Sequence, residues 1–245
     1  MLRNEIVMIS GGGSGIGLAT ALRLGARGAR VSLCGRRKER LAAAVRRLRE
    51  QEIEALAVRA DVSQEEEVEQ WFAETEHWFG APTILVNNAG IPGHGPMLEI
   101  TEAQWDLTMR VNCRGAFLCT RRALPFMMQA RRGRILFISS VSGQYYRKNF
   151  SLYFASKWAL SGFAHCVAKE VQEYNIHVHV LCPGMTETDF FETLNGRPHS
   201  REFTYLRPDV VASMAEFLVC LPEDVDTNEY SLFPSFQLKN FGIRR

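Results

Sequence analysis

Short apolar runs and helix-patterned stretches alternate along the whole chain, and most apolar runs end in a turn signal. The strand candidates are residues 6–10, 30–34, 55–59, 83–86, 134–139 and 177–181. Their near-continuous apolar character is what a parallel strand covered on both faces requires, because a strand with one wet face would alternate instead. Helix candidates lie between them at 15–27, 37–51, 64–78, 102–129, 152–174 and 208–220. Capping-box patterns open two of these: Ser63 with Glu66, and Thr101 with Gln104. Strands joined through helices imply right-handed crossovers, so the pattern predicts an α/β fold with a doubly wound sheet and helices on both faces.

The chain has 245 residues, with no repeat, low-complexity segment or linker, and reads as one domain over 1–245. A formal charge of +2 gives no electrostatic footprint for nucleic acid. No stretch approaches the roughly 18 apolar residues of a membrane span. The six cysteines form no C-x-x-C pair, and the polar Met1–Glu5 start does not resemble a secretory signal. Reduced thiols in a cytoplasmic protein are the expectation.

The first strand runs into Ser10-Gly11-Gly12-Gly13-Ser14-Gly15-Ile16-Gly17, which opens the first helix. Such a turn brings backbone N–H groups and a positive helix end close to a pyrophosphate, so Gly11, Ser14, Gly15, Ile16 and Gly17 are candidate dinucleotide contacts. The second strand then tests the choice of cofactor. A carboxylate at its end would bind a ribose 2′-hydroxyl, but here Arg36 and Arg37 follow Cys34-Gly35. Guanidinium groups suit a 2′-phosphate, so NADP(H) is favoured over NAD(H). A solvated basic face is the alternative, because Lys38, Arg40, Arg46, Arg47 and Arg49 follow on the same helix.

Tyr153 and Lys157 stand four apart, which places them a turn apart on one helix face. Ser140 closes the strand before them. Ligands of open α/β sheets bind beyond the carboxyl ends of the strands, so the three side chains can converge on a cofactor.

Together these motifs resemble the short-chain dehydrogenase/reductase family, in its branch of roughly 250 residues. The glycine turn matches the family's T-G-x-x-x-G-x-G with Ser10 in place of threonine. Asp61-Val62 is similar to its adenine-contacting pair, and Asn87-Asn88-Ala89-Gly90 to its N-N-A-G motif. Asn112, Ser140, Tyr153 and Lys157 fall on its catalytic tetrad, and Pro183-Gly184-Met185-Thr186-Glu187-Thr188 on its nicotinamide-end segment. The likeness runs from Ile6 to Asp189. The end of the chain departs from it, with Asn228–Pro234 where many members have a V-D-G-G turn, although a last strand is still permitted there. The resemblance implies a Rossmann-type, mainly parallel seven-stranded sheet and a homodimer or homotetramer. It also implies cofactor contacts at Asn88, Ala89, Gly90, Tyr153, Lys157, Pro183, Gly184, Thr186 and Thr188.

The activity implied is hydride transfer between the nicotinamide and a carbonyl or carbinol carbon. Carbonyl oxygen gains negative charge as hydride arrives and needs a proton donor, the role implied for Tyr153. A lysine ammonium about 5 Å from the phenol, at an effective dielectric of about 20, would favour phenolate by on the order of 3 kcal/mol, about two pKa units. Lys157 would thus lower the Tyr153 pKa and bond the nicotinamide ribose. Ser140 would hold the substrate oxygen, and Asn112 would anchor a water.

Substrate contacts are expected from Ser140, Gln144, Tyr145, Tyr153 and Phe190, with a short lid near 188–206 that includes Phe191, Leu194, Asn195, Gly196 and Phe203. The favoured substrate is a small or medium apolar ketone or alcohol. A 3-oxoacyl thioester reductase is the rival enzyme, with Arg147-Lys148 or Arg197 and Arg201 as a basic patch for an acidic carrier. A dinucleotide-binding sensor without catalysis is the third reading. His177 and His179 share a strand face and suit sheet contacts better than a metal, none of which is expected. His94 reads as a loop histidine.

Overall fold

The computed structural model describes residues 1–190, 204–235 and 237. Among them are seven strands: β1 (Ile6–Ser10), β2 (Arg30–Gly35), β3 (Ala55–Arg59), β4 (Ile84–Asn87), β5 (Gly133–Ile138), β6 (Ile176–Pro183) and β7 (Glu229–Leu232). They form one sheet in the order β3-β2-β1-β4-β5-β6-β7. Every pairing is parallel. The seventh strand is the one permitted by the divergent end of the sequence.

Successive residues of a strand point to opposite faces, and here both faces are covered. Val7 and Ile9 of β1 join Val31, Leu33 and Leu136 in one apolar cluster. Met8, between them, joins Leu85, Phe137, Trp71 and Phe72 in the other. All of β1 is buried as a result, which is why the sequence shows an unbroken apolar run. The helices are α1 (Gly15–Ala26), α2 (Lys38–Arg49), α3 (Glu65–Phe79), α4 (Glu102–Met109), α5 (Gly115–Ala130), α6 (Ser151–Val171) and α7 (Pro208–Val219). Helix α7 is tied to α1 by Glu216, which accepts from Arg23 at 2.8 Å and from Arg27. Among the described residues no helix is long and apolar enough to cross a membrane.

Two local expectations need correction. The helix predicted over 102–129 is two helices separated by a π-helical segment, Arg110–Arg114, which contains Asn112. The apolar pattern continues through it and gives no sign of the extra residue. The capping box at Ser63 does not form. Gln64 is the N-cap, without a side-chain bond to the helix, and the turn is held by Asp61, whose Oδ1 accepts from Ser63 N at 2.9 Å. The box at Thr101 does form, with both reciprocal bonds to Gln104.

His177 and His179 lie on one strand face with their rings stacked at 6.4 Å. His179 Nδ1 bonds the hydroxyl of Thr227 at 3.0 Å. No group of three or more potential ligands among the described residues could hold a metal.

Candidate active site

The strand order reverses between β1 and β4, and the loops that follow these two strands diverge to open a crevice beyond their carboxyl ends. Ser10 pins that point. Its hydroxyl oxygen accepts from the backbone of Asn88 and of Ala89, each at 3.0 Å. Asn88 Nδ2 donates back to Ser10 O at 2.9 Å and Gly11 O at 3.2 Å. A glycine is required at 11, which has φ +66° and would place a Cβ 2.9 Å from Asn88 Nδ2.

The crevice has a volume of about 330 Å3. Gly11, Ser14, Gly15 and Ile16 line one side, and Asn88, Ala89 and Gly90 line the floor. Gly17 is not on its wall: it supports the turn from beneath, against Gly11 and Asn88. Ser14 caps α1 without a side-chain hydrogen bond, and the first turn of α1 carries no acidic residue. The positive end of that helix is therefore presented to the crevice.

Arg36, Arg37, Asp61 and Val62 line the far end. Arg40, read from sequence as part of a solvated face, lies there too. It forms an ion pair with Asp189, from the segment after β6. The Arg37 pKa is lowered by burial and by the guanidinium groups of Arg40 and Arg36, with Asp189 opposing them.

Ser140, Tyr153 and Lys157 meet at the other end, and Pro183, Gly184 and Thr186 line the crevice with them, while Thr188 stands close to Gly15 of the glycine turn. Ser140 follows β5 and N-caps a turn of 3-10 helix, Val141–Gly143, through Ser142 N at 3.1 Å. Its hydroxyl donates to Pro183 O at 3.4 Å. Helix α6 presents Tyr153 and Lys157 on one face, both buried. Lys157 Nζ donates to Ile138 O at 3.0 Å and lies 5.8 Å from the Tyr153 ring centre.

The electrostatics differ from the sequence expectation. Burial pushes the Tyr153 phenol well above its usual range, with only a hydrogen bond from Ser140 opposing it. Burial also pulls the Lys157 ammonium down to about 8, with Cys113 and Cys182 pulling the other way. Helical spacing sets a lysine charge near the phenol, but burial desolvates both groups, and that desolvation is the larger effect.

Asn112 does not line the crevice. Its Oδ1 accepts from Ile91 N at 2.7 Å, and its Nδ2 donates to Ile91 O at 3.0 Å and Ser156 Oγ at 2.9 Å. The side chain thus holds the segment after β4 against α6, with both amide hydrogens donated and one bond accepted at Oδ1. Phe190 lines the crevice and stands 5.7 Å from the Tyr153 ring. Gln144 and Tyr145 do not. The Gln144 amide turns to β7, and the Tyr145 ring rests against Phe233 at 6.0 Å. His94 lies against Phe150. Of the expected lid, 191–203 falls outside the described residues, and with it Phe191, Leu194, Asn195, Gly196, Arg197, Arg201 and Phe203.

Gln237, from the divergent end of the chain, also lines the crevice and accepts from Met185 N at 3.0 Å. Nothing local in the sequence marks it, because its partner is 52 residues away.

Residues 5–198 match the short chain dehydrogenase family. The chain belongs to that family. It is accordingly a dehydrogenase/reductase enzyme, built on the family's Rossmann-like parallel sheet. A 3-oxoacyl-acyl-carrier-protein reductase from a Synechocystis species is 33% identical over 225 residues, covering 90% of this chain and 91% of the relative. Among solved structures, levodione reductase superposes with a TM-score of 0.90 at 30% identity, covering 96% of this chain and 98% of that one. An actinorhodin polyketide ketoreductase variant solved with NADPH superposes with a TM-score of 0.87 at 30% identity, covering 94% and 96%.

Proposed function

We propose that this short-chain dehydrogenase transfers hydride between NADP(H) and a small or medium apolar ketone or alcohol, with Tyr153 as the general acid and base. The observation that carries the reading is the convergence of Ser140, Tyr153 and Lys157 on the crevice that the Gly11–Gly15 turn also lines. A dinucleotide fits the residues present. The open positive end of α1 suits a pyrophosphate, and Arg36, Arg37 and Arg40 suit a 2′-phosphate. The NADPH of the structurally similar ketoreductase supports the same choice.

When bound, the nicotinamide supplies or accepts the hydride. Ser140 would donate to the substrate oxygen and hold it beside the Tyr153 hydroxyl. Tyr153, kept protonated by burial, would give its proton to that oxygen in reduction and take it back in oxidation. Lys157 would orient the nicotinamide ribose. Ile91, Pro92, Val141, Met185 and Phe190 exclude water around the reacting carbon. Charged side chains on the crevice wall otherwise gather at the arginine end, which favours an uncharged substrate.

The similarity to a 3-oxoacyl-acyl-carrier-protein reductase supports a second reading, with a thioester as substrate. Trp105, Phe117 and Trp158, exposed on α4, α5 and α6, support assembly into a homodimer or homotetramer.

The test is turnover with NADPH on a panel of ketones and a 3-oxoacyl thioester, in wild type and Tyr153→Phe. Loss of about 10³-fold in the variant, with NADPH still bound, is expected. An equally active variant overturns the role of Tyr153, and a marked preference for the thioester selects the second reading.

A further inference from the structure

We propose that Glu229, on the edge strand β7, is a positioning residue for catalysis that fixes the Ser140 turn through Gln144 and Cys182. The inference deepens the oxidoreductase reading and rests on it.

Glu229 is largely buried, with 18% of its side chain exposed. Its Oε1 accepts from Gln144 Nε2 at 2.5 Å and from Cys182 Sγ at 2.9 Å. Its Oε2 stands 3.3 Å from His165 Nε2 on α6, the helix that carries Tyr153 and Lys157. Ser231 Oγ donates to Gln144 Oε1 at 2.7 Å, so β7 holds both ends of the Gln144 amide.

Gln144 closes the turn that begins at Ser140. Gly143 N donates to Ser140 O at 2.8 Å, and Gln144 N to Val141 O at 3.0 Å. Cys182 immediately precedes Pro183, whose carbonyl accepts the Ser140 hydroxyl. Burial and the neighbouring carboxylate both push the Cys182 thiol up, so it remains a donor at neutral pH. One carboxylate therefore ties β6, β7, α6 and the Ser140 turn together, yet it does not line the crevice.

Hydrogen bonds to a carboxylate are shorter and stronger than those between neutral groups. Removing this acceptor leaves the Gln144 amide and Cys182 thiol without their shared partner, and the turn relaxes. A displacement of about 1 Å at a reacting group can lower a rate by about 10²-fold.

The experiment compares kcat, KM and NADPH affinity for wild type, Glu229→Gln, Glu229→Ala, Ser140→Ala and the double variant Ser140→Ala/Glu229→Ala. Hydrogen exchange at the amides of residues 142–144 is followed in parallel. Glu229→Ala is expected to lower kcat by about tenfold with NADPH affinity unchanged within about twofold. Glu229→Gln keeps an acceptor and is expected to restore kcat to within about threefold of wild type. In the Ser140→Ala background, Glu229→Ala is expected to add less than about twofold, because both act at one hydroxyl. Exchange at 142–144 accelerates in Glu229→Ala while that of β5 holds. Should Glu229→Ala fail to fold, Gln144→Ala cuts the same link and is expected to give the same pattern.

Multiplying losses in the double variant, or unchanged exchange at the turn, overturn the proposal. A wild type that reduces no carbonyl overturns the oxidoreductase reading instead, and exchange at 142–144 still decides whether Glu229 holds the turn.

Discussion

Lys157 Nζ and the Tyr153 ring centre are 5.8 Å apart, and the ammonium gives its hydrogen bond to Ile138 O, on the strand beneath. Its pKa of about 8 lies below the unfolded value of about 10.4, so folding disfavours the proton. That penalty is present in full below about pH 8 and fades as pH rises from there toward about 10.4. Lys157→Met is therefore expected to abolish turnover and yet unfold about 1–2 kcal/mol less readily at pH 7, after the lost bond to Ile138 O is allowed for. Denaturant unfolding at pH 7 and pH 10 checks this. A gain that did not shrink at the higher pH would contradict the burial argument.

The cluster of Arg36, Arg37 and Arg40, with Asp189 beside it, should discriminate between the two nicotinamide dinucleotides. Arg36→Ala/Arg37→Ala is expected to weaken NADPH binding by about 10–100-fold, the worth of one or two charge-assisted bonds, and NADH binding by less than about threefold. Titration followed by nicotinamide fluorescence measures both. Equal losses for the two cofactors would remove the 2′-phosphate from this end of the crevice.

Gly17 has no room for a side chain. A Cβ there would fall 2.5 Å from Gly11 O and 2.6 Å from Asn88 Nδ2. Gly17→Ala is expected to push the turn away from Asn88 at a cost of about 1–3 kcal/mol and to abolish dinucleotide binding. A variant with wild-type stability and affinity would mean that the turn yields freely.

Asn112 satisfies both backbone polar groups of Ile91. Asn112→Ala leaves them without a partner and is expected to cost about 2–4 kcal/mol in denaturant unfolding. NADPH binding should weaken with it, because Gly90 and Ile91 line the crevice. Lost turnover at unchanged stability and NADPH affinity would instead give Asn112 a direct part in proton transfer.

The fold and the glycine turn were legible because their signals are local: apolar runs of strand length, a glycine cluster after the first of them, and helical spacing between Tyr153 and Lys157. What stayed hidden depends on contacts distant in sequence. Glu229 meets Gln144 across 85 residues, and no local pattern in Asn228–Leu232 announces that partnership. The position of Gln144 between Ser140 and Tyr153 suggests a substrate contact, but position along a loop does not say which way a side chain turns, and its amide turns to β7. Arg40 looked like one more charge on a basic helix until Asp189 was brought to it by the return of the chain after β6. The direction of the Tyr153 pKa was not legible, because a pairwise charge can be estimated from sequence spacing whereas burial of both partners cannot.

The π-helical segment Arg110–Arg114 gives Asn112 an address written in chain length. It holds one residue more than the α-turn it replaces. Deleting a single residue there would close the wide turn into an ordinary α-turn, with both flanks keeping their phase. The flanks are in any case held, since Thr101 and Gln104 cap one and Leu118, Cys119 and Ala123 are sunk in the core on the other. The segment therefore behaves like a local spacer. Replacing its side chains one by one would leave the wide turn intact, whereas a deletion scan across 110–114 would remove the bulge that sets Asn112 opposite Ile91 and leave the packing of both flanks in place.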